Sequence, residues 1–141
     1  MSKLIEQLKR HEGVRTHAYQ CTANMTTVGV GRNIDEDGGL GLSIDEIEFL
    51  LENDIRRCKQ ELILLPWFTE IDSVRQDALV NMCFNLGFTR LMGFKNALTA
   101  MSVGDYDKAA DEFMDSRWAK QVGSRADEVC EMIRSGNYPE I

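Results

Sequence analysis

The sequence predicts an α+β fold that is mainly α, with a small β-containing lobe, a long connecting helix and a helical lobe. Three observations predict it. Residues 16–31 are rich in strand formers, residues 43–64 carry one long apolar helical stripe, and residues 71–136 form a series of short helical patterns separated by glycines. The chain has 141 residues, 43% of them hydrophobic and 28% charged, which suits one packed domain divided into two lobes.

The first predicted element is an amphipathic helix over residues 3–11. Its apolar face consists of Leu4, Ile5 and Leu8. Ser2 is a suitable N-cap, and Gly13 is expected to end the helix, which places Glu12 at its C-terminal end. A carboxylate at that position faces the negative end of the helix dipole, so we expect a compensating cation elsewhere in the structure.

Residues 16–31 predict a β-hairpin with its turn at residues 22–24. The strand-forming residues are Tyr19, Cys21, Thr26, Thr27, Val28 and Val30. Gly29 and Gly31 alternate with valines in the second predicted strand, which indicates a close backbone approach or a bulge. Residues 33–42 contain three glycines and predict a loop with room for a short third strand.

A capping box over residues 43–46 predicts the start of the long helix, which is expected to end near Leu64, before Pro66. Four more helices are predicted over residues 73–86, 94–102, 105–115 and 124–134. We therefore interpret residues 1–141 as a single domain composed of a β-containing lobe (12–42), a connecting helix (43–65) and a helical lobe (66–141). Residues 1–11 are expected to pack on the helical lobe.

Composition argues against several classes of partner. The net charge is -7, with 23 acidic and 16 basic residues, which disfavours nucleic-acid binding. No apolar run reaches the roughly 20 residues of a membrane span, and the charged N-terminus predicts neither a secretory signal nor an anchor. The four cysteines lack C-x-x-C spacing, so free thiols are expected, with at least three in the core. No metal-ligand spacing is visible, and no cofactor is expected.

Two sets of polar residues are candidates for chemistry. The first set is Glu12, Cys21 and Thr27, which could converge at the base of the β-lobe. Cleaving a glycosidic bond needs an acid and a group that directs water, and a partly buried glutamate suits the acid because desolvation raises its pKa. The second set is Asn81, Asn85, Ser116, Arg117, Trp118 and Arg125, with Phe84 as a further aromatic that could stack on a sugar.

Motifs in a fixed order along the chain carry a family resemblance. They are Glu12–Arg15, Tyr19, Thr27–Gly31, Ser43–Asp54, Val74–Arg75, Asn81–Gly87, Gly93–Phe94, Ser116–Trp118, Gln121 and Arg125–Ala126. Together they resemble the phage-type lysozyme family, glycoside hydrolase family 24, over roughly residues 4–138, with a clear departure only at residues 33–41. The resemblance implies a lysozyme-like fold and a bacteriolytic endolysin that hydrolyses the β-1,4 bond between N-acetylmuramic acid and N-acetylglucosamine in peptidoglycan.

The resemblance also implies roles for individual residues. The family pattern of Glu, eight residues, Asp or Cys, five residues and Thr matches Glu12 as general acid, with Cys21 and Thr27 directing water. The residues that match substrate-binding positions are Tyr19, Arg32, Phe84 and Asn85. Arg125 falls where the family pairs an arginine with the catalytic glutamate. Arg32 and Asp54 match an ion-paired couple in the best-known member, so we expect an ion pair between them.

The cysteine at position 21 leaves alternatives open, because an unperturbed thiol has a pKa of about 8.5 and is mostly protonated at neutral pH. Cys21 could act as a base, attack the sugar directly, or be a spectator in an inverting reaction. A Cys-dependent wall amidase or peptidase would pair Cys21 with His17 on one strand face. A lysozyme-like module that binds glycan without cleaving it is the non-enzymatic alternative.

The family resemblance also implies a location and partners. We expect a monomer that stays in the host bacterial cytoplasm until a membrane pore protein, a holin, releases it to the periplasm and cell wall. The sequence names neither the host nor the type of peptidoglycan.

Overall fold

The computed structural model describes residues 2–140 and consists of two compact units, with the boundary between Leu50 and Leu51 inside one long helix. The fold is mainly α with a small antiparallel sheet, as predicted. Within residues 2–140, the helices lack the combination of length and apolar character that a membrane crossing requires.

The N-terminal unit begins with helix α1 (Ser2–Glu12), followed by strands β1 (Arg15–Gln20), β2 (Thr26–Gly29) and β3 (Arg32–Asn33). The strands form an antiparallel sheet in the order β1-β2-β3, in which Tyr19 pairs with Thr27 and Val28 pairs with Arg32. The predicted helix, hairpin and short third strand are confirmed.

Two details of this unit differ from the prediction. Ser2 lies inside α1 rather than before it. The second strand was expected to include Val30, but β2 ends at Gly29 because Gly29 and Gly31 have φ values of 70° and 66°. These left-handed conformations are favourable only for glycine, and they turn the chain from β2 into β3.

Helix α2 (Ile44–Leu62) begins at the predicted capping box. The Glu46 N–H donates to Ser43 Oγ (3.2 Å), and the Ser43 N–H donates to Glu46 Oε1 (2.8 Å). The loop before the helix is held by Asp35, whose carboxylate accepts from the N–H groups of Thr26 and Asp37, each at 2.9 Å. Gly39 lies so close to this loop that an added Cβ would be 2.5 Å from Asp35 O.

The C-terminal unit is helical. After a 3₁₀ turn at Phe68–Glu70, its helices are α3 (Ser73–Leu86), α4 (Phe88–Leu91), α5 (Lys95–Ser102), α6 (Tyr106–Met114), α7 (Arg117–Val122) and α8 (Ser124–Ser135). The four helices predicted here are confirmed to within a few residues. The sequence analysis missed α4 and α7, which have four and six residues and are too short to show helical periodicity.

Packed apolar side chains form the core of the C-terminal unit. The largest fully buried residues are Leu62, Leu79, Met82, Leu91, Met101, Phe113, Val129 and Ile133. All four cysteines are free, and three of them (Cys58, Cys83 and Cys130) are buried as predicted. Burial raises the pKa of the Cys83 and Cys130 thiols to about 12, so both are inert at neutral pH.

Candidate functional site

The carboxylate of Glu12 lies against a glycine of the sheet. Glu12 is the last residue of α1, and Gly13, at φ 79°, turns the chain into β1. A Cβ added at Gly31 would be 2.6 Å from Glu12 Oε2, so only glycine leaves room for this carboxylate. Glu12 is exposed. Its place at the helix end is as predicted.

Cys21 and Thr27 are both bound to the backbone of Met25. Residues 22–24 form a three-residue hairpin loop in which Asn24 has the left-handed φ of 62°. The Met25 N–H donates to Cys21 Sγ at 3.4 Å, and the buried Thr27 hydroxyl donates to Met25 O at 2.9 Å. Cys21 and Thr27 are thus brought together as predicted.

The hairpin loop favours the thiolate form of Cys21. The Met25 N–H lowers the pKa of the thiol below its ordinary value, and the Ala23 N–H acts in the same direction. Backbone N–H donors stabilise a negative sulfur, which increases the fraction of Cys21 that can accept a proton.

His17 does not hydrogen-bond to Cys21 within residues 2–140. The His17 ring Nδ1 lies 2.9 Å from Thr16 Oγ1, whereas the Cys21 sulfur accepts from Met25. A Cys–His nucleophile requires a hydrogen bond between the two side chains. The geometry therefore gives no support to the amidase or peptidase alternative.

Tyr19, a predicted substrate-binding residue, lies on β1 and is half-buried. The guanidinium carbon of Arg15 is 4.7 Å from the centre of its ring, within the range of a cation–π contact. This contact fixes one face of the Tyr19 ring in place.

Arg32 and Asp54 lie in different units, and the ion pair between them stays a prediction. Within its own unit, Arg32 Nη1 donates to Glu46 Oε1 at 2.7 Å and to Gly41 O at 3.2 Å. Asp54 pairs with Arg57 at 3.1 Å, one helical turn further along α2. The capping box holds the Glu46 carboxylate at the start of α2, within reach of Arg32. Sequence analysis had assigned Glu46 only to the cap.

In the C-terminal unit, Asn85 is oriented by an aromatic side chain. Trp118 is buried between helices and donates its indole N–H to Asn85 Oδ1 at 2.9 Å. This bond fixes the amide, so that its NH₂ group points away from Trp118 and remains a donor. Phe84 is 47% exposed and is therefore accessible to a sugar face. The stacking role considered for Trp118 is wrong, because its ring belongs to the core.

Arg125 lines a cavity of about 430 Å³ in the same unit. Its guanidinium donates to Asn81 Oδ1 at 2.9 Å and to Asn81 O at 3.3 Å. The cavity is also lined by Leu51, Ile55, Lys59, Asp77, Val80, Phe84 and Tyr138. Arg125 therefore has a structural partner in Asn81, and its pairing with Glu12 stays a prediction.

Comparisons with known proteins identify the family of this chain. A model of the phage lysozyme family matches residues 9–132, which include every predicted site residue. The chain belongs to the phage lysozyme family. The endolysin of Acyrthosiphon pisum secondary endosymbiont phage 1 is 33% identical over 121 residues, covering 84% of this chain and 80% of that endolysin. The endolysin of Salmonella phage P22 is 29% identical over 118 residues, covering 78% and 77%.

A further relative is much longer than this chain. The pre-baseplate central spike protein Gp5 of Enterobacteria phage T4 is 30% identical over 161 aligned positions, which cover 95% of this chain but 28% of Gp5. The chain thus spans less than a third of that relative. Membership of the phage lysozyme family, together with the endolysin relatives, supports a lysozyme function and hence glycosidase chemistry on peptidoglycan.

Sequence analysis missed two contributors to this candidate site. Met25 acts through its backbone, which no residue-type pattern can reveal. Glu46 both caps α2 and pairs with Arg32, and the capping motif predicts only the first of these contacts. The role of Gly31 was partly visible, because a glycine between Val30 and Arg32 predicted a close approach.

Proposed function

We propose that this protein is an endolysin that hydrolyses the β-1,4 bond between N-acetylmuramic acid and N-acetylglucosamine in bacterial peptidoglycan. The observation that carries the proposal is the joint attachment of Cys21 and Thr27 to Met25, in the unit that also presents Glu12 at a helix end. The family resemblance implies catalytic roles for these three residues, and the phage lysozyme family model covers all of them.

Glu12 is proposed as the general acid. It donates its proton to the glycosidic oxygen as the bond to the anomeric carbon breaks, and the leaving sugar departs as a neutral alcohol. The carboxylate is accessible to a substrate because Gly31 presents no side chain beside it. The Glu12 carboxylate is then reprotonated from solvent.

Thr27 and Cys21 are proposed to direct the attacking water. The Thr27 hydroxyl donates its hydrogen bond to Met25 O. The Thr27 oxygen therefore acts as an acceptor toward a water. The Cys21 thiolate takes the proton that water loses as the new C–O bond forms. Attack by water on the face opposite to the leaving group inverts the anomeric carbon, in a single displacement.

The substrate-binding roles of Tyr19, Arg32, Phe84 and Asn85 are part of this proposal. Phe84 offers an exposed ring, and Asn85 offers an oriented amide donor to the N-acetyl and hydroxyl groups of the glycan. For Arg32, the contact with Glu46 leaves Nε and Nη2 as donors to substrate. We further propose action as a monomer, a cytoplasmic location in the host before release, and a holin as the releasing partner.

The proposal is tested by digesting purified peptidoglycan with the native protein and with Glu12→Gln. New reducing ends and new free amino groups are assayed in the same digest. Reducing ends from the native protein only, without new amines, are expected. New amines would instead indicate amidase or peptidase chemistry at Cys21, and binding without either product would indicate a glycan-binding module.

A second comparison tests the roles within the site. We expect Cys21→Ser to lose less activity than Glu12→Gln, because the serine variant keeps Thr27 to hold the water and Glu12 to protonate the leaving group. Equal losses would contradict the assignment of the acid to Glu12 and of an assisting role to Cys21.

A further inference from the structure

Arg32 and Glu46 join the sheet to the start of helix α2. Arg32 lies on β3, and its Nη1 donates to Glu46 Oε1 (2.7 Å) and to Gly41 O (3.2 Å). The same Glu46 oxygen accepts the Ser43 N–H at 2.8 Å, so the carboxylate is fixed from two sides. Both side chains are only about one-third exposed, at 37% and 36%.

The backbone connects the Arg32–Glu46 ion pair to Glu12, the proposed general acid. Arg32 directly follows Gly31, the residue against which the Glu12 carboxylate lies. The turn from Gly29 to Gly31 contains two left-handed glycines, which leave its backbone intrinsically free to move. The strand that follows the turn, β3, has two residues and therefore few backbone hydrogen bonds. The side-chain contacts of Arg32 are thus a large part of what holds the turn in place.

We propose that Arg32 and Glu46 are positioning residues for the general acid: their ion pair fixes the Gly29–Gly31 turn and thereby the place of the Glu12 carboxylate. This inference rests on the proposed function of Glu12. Neither side chain acts on the substrate in this role. Small displacements of a reacting group reduce turnover strongly, by up to about a hundredfold for 1 Å.

The state of Glu46 at neutral pH agrees with this role. The Ser43 N–H, together with the Ser43 side chain, lowers the pKa of Glu46 below its ordinary value of 4.5, and Arg32 adds to the lowering. Glu46 is therefore ionised where the enzyme is expected to work, and the pair with Arg32 is fully formed.

The chain offers variants that separate the ion pair from the helix cap. Glu46→Gln keeps a residue that is suitable for a capping box but removes the charge that holds Arg32. Ser43→Ala removes the capping hydroxyl that accepts from the Glu46 N–H and keeps both members of the ion pair. The swapped double variant Arg32→Glu/Glu46→Arg restores opposite charges at the two positions.

The experiment measures kcat, KM and Tm on soluble peptidoglycan fragments for the native protein and these variants. Glu46→Gln is expected to lower kcat about tenfold with little change in KM, and the charge swap is expected to recover part of the loss. Ser43→Ala is expected to lower Tm while kcat stays at the native value.

Three results would overturn the inference. The first is an unchanged kcat in Glu46→Gln, in an experiment where the unmodified protein is active and Glu12→Gln is inactive. That result would leave the proposed function of Glu12 intact. The second is a loss of kcat in Ser43→Ala equal to that in Glu46→Gln, which would indicate general destabilisation. The third is a kcat in Arg32→Gln that stays at the native value while KM rises, which would limit Arg32 to its proposed substrate contacts. An inactive native protein would overturn the proposed function and this inference together.

Discussion

The two units of the molecule are stabilised in different ways. Among residues 2–50, Thr27 is the only buried residue, and the elements are held by turns, a capping box, an ion pair and carboxylate-to-backbone hydrogen bonds. The C-terminal unit is organised around large, fully buried apolar side chains such as Phe113 and Leu62. The proposed reacting groups thus belong to the unit that depends on polar contacts, whereas packing determines most of the stability of the other unit.

The largest expected effect comes from the packed core. Phe113 is fully buried and contacts Phe94, with 5.3 Å between ring centres. Phe113→Ala is expected to lower the free energy of unfolding by about 3–5 kcal/mol in a denaturant titration. Phe49→Ala is the matched control, because Phe49 is 63% exposed, and it should change stability by less than about 0.5 kcal/mol. Similar losses in both variants would contradict the contrast between the units.

A second, smaller effect distinguishes a partly buried arginine from an exposed one. Arg75 donates to the carbonyls of Ile133 (2.6 Å) and Arg134 (3.0 Å), and its guanidinium lies 3.7 Å from the Tyr106 ring centre. Arg75→Met is expected to cost about 2 kcal/mol of unfolding free energy, because it leaves the end carbonyls of α8 without their partner.

The control for Arg75 is Arg134→Met. Arg134 is 38% exposed and pairs with Asp107 and Asp111, and exposed pairs of this kind contribute less than about 1 kcal/mol. Thermal or chemical unfolding measures both variants. A greater loss in Arg134→Met would show that surface charge pairs, rather than bonds to buried helix ends, stabilise this unit.

In the N-terminal unit, two glycines allow the effect of backbone strain to be distinguished from the effect of a contact with Glu12. Gly29 and Gly31 both have positive φ, so alanine at either position is strained. Only at Gly31 would the new Cβ meet the Glu12 carboxylate, since nothing lies within 4 Å of a Cβ at Gly29. Gly31→Ala is expected to lose more kcat than Gly29→Ala at a similar loss of stability, because both strain the turn but only the first meets the carboxylate. Equal kcat values would contradict the placement of Glu12.

The smallest expected effect is a loss of local order in acid. Asp35 and Glu46 have pKa values lowered from 3.8 and 4.5, in both cases chiefly by backbone N–H donors. Their stabilising contribution is complete above these ordinary values and is lost as the pH falls through the lower folded-state values. Hydrogen exchange should therefore show falling protection of the Thr26 and Ser43 amides below about pH 4.

The control for this pH effect is the amide of Gly87, which donates to the backbone oxygen of Cys83. Its protection should change less over the same pH range. Asp35→Asn should abolish the pH dependence at Thr26. A Thr26 protection factor that is independent of pH in the native protein would contradict the role given to Asp35.

The sequence predicted features with local causes and missed those that depend on distant partners. Glu12 at a helix end, the loop at residues 22–24 and the cap at Ser43 follow from neighbouring residues, and the structure has all three. The contact of Arg32 with Glu46 was missed because the family resemblance suggested Asp54 as its partner and the capping motif accounted for Glu46. The short helices α4 and α7 depend on packing and glycine turns, which hydrophobic periodicity does not report.

The central claim is that the hairpin loop supplies a thiolate that activates water beside Thr27. The most direct test is the pH dependence of kcat/KM on one peptidoglycan preparation for the native protein, Cys21→Asp and Cys21→Ser. In this account the active form has Cys21 deprotonated and Glu12 protonated, and the lowered pKa of Cys21 enlarges the fraction of that form. Cys21→Asp, with an ordinary carboxyl pKa of about 4, should enlarge it further and shift the pH profile toward acid, whereas Cys21→Ser should lose the part of the profile that depends on residue 21. Identical pH profiles in the three proteins would contradict the claim.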